Sequence, residues 1–317
     1  MNFADLLLGK IEEKQNPSCV GLDPIFEKIP QQIKEEAKGK FGPTFEGIAQ
    51  SFLEFNKRII DSVADVVPAV KPQMAFYEKY GSFGVRAFEE TVKYAHKKGL
   101  VVIEDAKRGD IGSTAEAYSS GHLGRVASWK GEEAGYDVDC ITVNPYLGID
   151  GVKPFIEDVK KYGKGIFILV KTSNPSSGEL QDLDYGNKKI CDVVAELVNK
   201  WGEGTEGTRN YRPIGAVVGA TYPQEAVKLR RIMEKSIFLV PGYGAQGGTA
   251  DDAMPCFNKD GYGAIVNSSR GIIFAYQDEK WKNKFMPEQF DDAAKAAALE
   301  MKEAISNSLK KANIFHW

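Results

Sequence analysis

The chain has 317 residues, of which 43% are hydrophobic and 27% charged, with a formal net charge of −3. This is the composition of a soluble globular protein with enough apolar material for a large core. No bulk basic field is present to attract nucleic acid or an anionic membrane, so an anionic substrate must be held by local groups.

The four cysteines, Cys19, Cys140, Cys191 and Cys256, are far apart and form no CxxC pair. That spacing argues against a zinc ribbon or a disulfide framework. Cys19 and Cys140 lie in apolar runs and are expected to be buried free thiols. The three histidines, His96, His122 and His316, form no HExxH, so histidine-based metal or triad chemistry is disfavoured. The opening MNFADLLLGKIEEK lacks the basic region and the apolar length of a signal peptide. No stretch of about 18 apolar residues occurs. The expected location is the cytoplasm.

In chain order, short apolar, β-branched runs fall at 18–22, 66–70, 100–103, 138–143, 165–170, 214–219, 237–240 and 264–266. Most are continuous rather than alternating, the pattern of parallel strands covered on both faces. Amphipathic stretches at helical spacing lie between them, at 45–63, 83–98, 188–201, 223–234 and 291–309. In the first, Ile48, Phe52, Phe55 and Ile59 form one stripe. The fourth starts with Pro223, with Thr221 as its cap candidate. Strand alternating with helix eight times predicts a single-domain (β/α)8 TIM barrel over residues 1–317. Alpha/beta barrels reach about 250 residues as one domain, so the length is no obstacle. A doubly wound open sheet is the competing architecture. Residues 24–43, 119–135, 174–187 and 202–213 read as elaborated loops.

In a barrel, chemistry collects at the C-terminal ends of the strands. Those positions hold Asp23, Lys71, the run from Glu104 to Thr114, Lys171 with Ser173, Pro241 with the Gly-rich 242–248 stretch, and Arg270. Asp105 and Lys107 are two apart and share a face while the chain is extended. Asp110 follows after a turn at Gly109. A lysine between two aspartates stays charged and can donate a proton. The same carboxylates would repel a substrate carboxylate. Two other readings stay open: a structural ion pair, and a divalent cation held by Glu104, Asp105 and Asp110. The glycines of 242–248 allow close backbone approach to an anion, and Arg270 offers a planar fork; together they suggest phosphate.

The third strand's motif, Asp105-Ala106-Lys107-Arg108-Gly109-Asp110-Ile111-Gly112-Ser113-Thr114 after Val102 and Ile103, resembles the D-x-K-x-x-D-I-G-x-T signature of orotidine 5′-phosphate decarboxylases. Asp23, Lys71, Ser173, Pro241, Gln246 and Arg270 follow the family's order. The length is similar to that of its longer bacterial branch. The resemblance implies a carboxy-lyase that converts orotidine 5′-phosphate to UMP in pyrimidine biosynthesis, without flavin, pyridoxal phosphate or metal. It implies a charged array of Lys71, Asp105, Lys107 and Asp110, with Lys107 protonating C6 and Asp105 crowding the substrate carboxylate. Asp23 and Lys71 would contact the ribose, Ser173 the pyrimidine edge, and Pro241 the ring. Gln246 would bridge ring and phosphate, and Arg270 would bind the phosphate. Segment 174–187 and the Gly-rich loop would close over the ligand. A homodimer is implied, with Asp110, Ile111 and Thr114 entering the neighbour's site. Alternatives of other kinds are a Mg2+-dependent phosphosugar lyase such as a hexulose-phosphate synthase, a Schiff-base aldolase using Lys107 or Lys171, and a non-catalytic phosphonucleotide-binding barrel.

Overall fold

A computed structural model describes residues 2–244 and 247–316. Eight parallel strands close into one barrel: β1 (Ser18–Leu22), β2 (Ala69–Pro72), β3 (Val101–Arg108), β4 (Cys140–Val143), β5 (Gly165–Lys171), β6 (Arg212–Val218), β7 (Ser236–Val240) and β8 (Ala264–Ser268). Each strand pairs with its neighbours in sequence, and β8 returns to β1 through Ser18↔Val266. Closure excludes the doubly wound sheet. The eight apolar runs are the eight strands, because each is packed on both faces.

The helical layer differs more from expectation. Helices α1 (Phe3–Lys14), α2 (Gln31–Phe41), α3 (Phe45–Val63), α4 (Gly81–Lys97), α5 (Gly112–His122), α6 (Ile149–Tyr162), α7 (Ile190–Trp201), α8 (Pro223–Ile232) and α9 (Phe290–Lys311) surround the strands or close their end. The 24–43 stretch is not a plain loop, since it contains α2. That helix buries Ile33 and Ala37 alone, too little apolar surface to mark a helical stripe. Likewise, 119–135 holds the end of α5 and an antiparallel hairpin, Arg125–Ser128 with Gly131–Ala134. Thr221 does not cap α8. Tyr222 is the N-cap residue, Pro223 starts the helix, and the Thr221 hydroxyl donates to the Ser173 carbonyl at 3.4 Å.

Helix α1 plugs the N-terminal end of the barrel. Asn2 accepts from the Ala4 N–H at 2.8 Å and starts the helix. Phe3, Leu7, Leu8 and Ile11 then face Ile103, Phe167 and Ile237 in the barrel interior. Gly165 opens β5 because a Cβ there would lie 2.2 Å from the Phe3 ring. With this end filled, the cavity lies at the other end of the barrel. The four cysteines are buried and free. No described helix is long and apolar enough to cross a membrane.

Candidate active site

A cavity of about 610 Å³ occupies the C-terminal mouth of the barrel. Asp23, Lys71, Asp105, Lys107, Ser173, Pro241 and Arg270, from six different strand ends, all line it. Gln246 lies outside the described residues.

The floor is an alternating ion array. Lys71 is 4% exposed, and its Nζ lies 2.8 Å from Asp105 Oδ2. Lys107 Nζ lies 2.5 Å from Asp105 Oδ1. Burial opposes the charge on Asp105, but Lys71 and then Lys107 outweigh it and hold the carboxyl far below the ordinary range. Burial also opposes the charge on Lys71; Asp105 and Asp23 outweigh it and raise its pKa above the ordinary lysine value. Both groups are therefore charged throughout the neutral range.

The backbone of β3 is adapted to this arrangement. The strand runs on through the charged motif to Arg108 instead of ending at residue 103. Lys107 sits in the left-handed region with φ 49°, and the pairing with β4 shifts register between Glu104 and Arg108. Simple strand alternation is thus not what brings Lys107 to Asp105. Thr142 of β4 stabilises the irregular turn: it accepts from the Lys107 N–H at 2.9 Å and donates to Asp105 Oδ1 at 3.1 Å. Sequence reasoning missed Thr142, because a threonine in the run CITV is indistinguishable from a β-branched core residue. A non-glycine residue held at positive φ beside a buried ion pair is the kind of local strain found at functional sites.

Asp23 has the opposite bias. Burial raises its pKa, offset only in part by Lys71, and its Oδ1 is buried without a hydrogen-bond partner. A ligand hydroxyl would satisfy that atom. Gly21 permits the arrangement, since a Cβ there would lie 1.8 Å from the Ser269 hydroxyl.

Two expectations change. First, Asp110 does not line the cavity; it accepts from the Ile111 N–H at 2.8 Å beside the exposed Ile111. Within one chain, Lys107 therefore has one aspartate beside it, not two. Second, Glu104, Asp105 and Asp110 do not converge. Glu104 leaves the opposite face of β3 and meets His122 Nδ1 at 2.7 Å, so this trio cannot hold one cation. The Schiff-base reading of Lys171 also fails, because that ammonium is fully buried outside the cavity against Asp182.

At the rim, Arg270 is exposed to the cavity and has no carboxylate within ion-pair distance among the described residues. The neighbouring Gly-rich stretch uses positive φ at Gly242, Gly244 and Gly247. The N–H groups of Gly244, Gly247 and Gly248 donate to carbonyls within the loop itself, so the guanidinium is the clearer anion ligand here. Gln73, Asn267 and Ser269, which the sequence places at strand ends without a role, line the same cavity.

The sequence profile described as Orotidine 5′-phosphate decarboxylase / HUMPS family matches residues 19–283. The chain belongs to this family. A Rhodopirellula baltica relative named orotidine 5′-phosphate decarboxylase is 43% identical over 305 residues, covering 96% of this chain and 99% of the relative. One of the same name from Caldicellulosiruptor bescii is 40% identical, covering 98% and 99%. Among solved structures, a putative orotidine-monophosphate-decarboxylase from Toxoplasma gondii superposes with TM-score 0.79 at 29% identity, covering 99% of both chains. Leishmania donovani UMP synthase gives TM-score 0.73 at 31% identity, covering 99% of this chain and 57% of that one. The family match runs from β1 past Arg270 and so includes every strand end that faces the cavity.

Proposed function

We propose that this chain is an orotidine 5′-phosphate decarboxylase, releasing CO2 and forming uridine 5′-phosphate in cytoplasmic pyrimidine biosynthesis, as one (β/α)8-barrel domain. The observation that carries the reading is the Lys71–Asp105–Lys107 array on the floor of a cavity whose rim holds an uncommitted Arg270. Phosphate at Arg270 would direct the pyrimidine toward the array, between Pro241 and Ser173. Gln246 would bridge ring and phosphate, and Asp23 with Lys71 would take the ribose hydroxyls.

The chemistry follows from charge placement. Asp105 is locked as a carboxylate and faces the substrate carboxylate. When the C6–carboxylate bond breaks, its electron pair stays on C6 and CO2 leaves. The Lys107 ammonium stabilises that developing charge and then transfers its proton to C6, after which water reprotonates the amine. This needs no flavin, pyridoxal phosphate or metal. Lys107 is the array member placed to deliver the proton, because its side chain is 45% exposed at the cavity while Lys71 is buried.

A homodimer completes the proposal. Asp110 does not line its own cavity; its carbonyl oxygen and Leu147 both flank Gly151, and Ile111, Tyr146, Leu147 and Ile149 are exposed. Ile111 is 53% and Tyr146 78% exposed. A second copy covering this apolar patch would bring Asp110, Ile111 and Thr114 toward its site.

The deciding assay is purified protein with orotidine 5′-phosphate and excess chelator. Loss of substrate absorbance with stoichiometric CO2 is expected; no turnover, or turnover that requires added Mg2+, would sink the reading and favour a metal-dependent phosphosugar lyase. Arg270→Ala should raise KM about 10- to 100-fold, the worth of a charge-assisted bidentate contact, with a smaller change in kcat. An unchanged KM would remove Arg270 from the phosphate site.

A further inference from the structure

Residues 174–189 form the cavity wall contributed after β5, through Ser176, Ser177, Glu179, Leu180 and Gln181. This wall has almost no apolar anchorage. Within 174–189 only Ser177 is buried, and Leu183 and Tyr185 are 52% and 70% exposed. A segment with so little buried surface must be held by polar ties.

Those ties converge on the end of β5. Lys171 is 0% exposed, and its ammonium meets Asp182 Oδ2 at 2.7 Å, Ser177 Oγ at 3.3 Å and the Tyr222 ring at 4.3 Å from the centroid. Next to it, the Thr172 N–H donates to Gln181 Oε1 at 2.9 Å, and Gln181 Nε2 donates to the Thr172 hydroxyl at 2.8 Å. Asp182 Oδ1 also meets Lys189 at 3.2 Å, where the segment rejoins α7. A buried ammonium is tolerated only while its partners stay in place, because a missing partner leaves its desolvation uncompensated. The closed wall and the buried Lys171 thus require each other.

We propose that Lys171 is a positioning residue for the reaction: through Asp182 it latches the 174–189 wall over the cavity, and the ligand-binding form of the cavity depends on that ion pair. Lys171 touches no substrate. It acts by raising the fraction of molecules whose wall is already in place, and apparent affinity scales with that fraction. The kinetic part of this inference rests on the decarboxylase reading; the ordering of the wall does not.

Two measurements separate those parts. Lys171→Met and Asp182→Asn, singly and together, are compared with wild type for tryptic cleavage after Lys188 or Lys189, with and without uridine 5′-phosphate, and for KM and kcat. Each single variant should be cut there at least about tenfold faster, with the extra cleavage confined to that segment. KM should rise about tenfold with kcat within about threefold, and the double variant should be no worse than the worse single one, as expected for two ends of one contact. Faster cleavage with an inactive wild type would uphold the latch and sink the decarboxylase reading. Unchanged cleavage and KM in Asp182→Asn would overturn the latch, and since Asp182 is partly exposed, a misfolded Lys171→Met would not rescue it.

Discussion

Lys107→Ala is expected to lower kcat by about 10⁴-fold, the upper range for removing a general acid that also stabilises developing charge. Affinity for uridine 5′-phosphate should change less than about tenfold, because the proposed phosphate and ribose contacts lie elsewhere. The variant is a clean test for structural reasons. Lys107 is half exposed, and without it Asp105 keeps Lys71 at 2.8 Å and the Thr142 hydroxyl at 3.1 Å, so no carboxylate is left buried and unpaired. Alanine bears the same Cβ at φ 49°, so backbone strain is unchanged. Lys71 offers no such test: it is buried, it pairs with Asp105 and it is the main charge offsetting the burial of Asp23, so removing it would mix stability with catalysis. Rapid-mixing absorbance traces with saturating substrate give kcat directly. A Lys107→Ala enzyme within tenfold of wild type would end the proton-donor assignment and leave the ion array a structural device.

The barrel was legible because parallel strands buried on both faces leave continuous apolar runs, and all eight were visible. Boundaries failed where a strand changes environment. Residues 104–108 are charged because they border a polar cavity on one side and the Glu104–His122 pair on the other, yet they remain in β3. The helices that escaped notice have specific reasons. Helix α2 buries two side chains, and α6 carries Pro154 within its span, which in a sequence reads as a break. The site was legible through the strand-end rule, which pointed to Asp23, Lys71, Asp105, Lys107, Ser173, Pro241 and Arg270. Two things could not be seen that way. Thr142 hides in an apolar strand. The direction of Lys171 depends on Asp182, eleven residues on, in a stretch with no periodicity to reveal it.

Asp110 carries the other large expected effect, which tests the proposed dimer. Alone, Asp110→Ala and Lys107→Ala are each expected to be nearly inactive. Mixed, unfolded together and refolded, they should regain about a quarter of wild-type activity. The arithmetic follows from a two-fold dimer with shared sites. About half of the dimers are mixed. In each mixed dimer, one site combines an intact Lys107 with the partner's intact Asp110, and the other lacks both. If Asp110 instead served its own chain's cavity, every site in the mixture would lack one residue or the other, and nothing would be regained. The geometry favours sharing: Asp110 does not line its own cavity, a Cβ at Gly151 would lie 2.9 Å from its carbonyl oxygen, and the exposed Leu147 flanks the same position. A carboxylate placed there does nothing for its own Lys107, and a surface that exposes Ile111 and Tyr146 without cover is costly in water. The proposed contact would explain both facts, burying the exposed side chains and delivering the aspartate in the same step. Activity of the mixture, read after sedimentation confirms dimers, decides between the two.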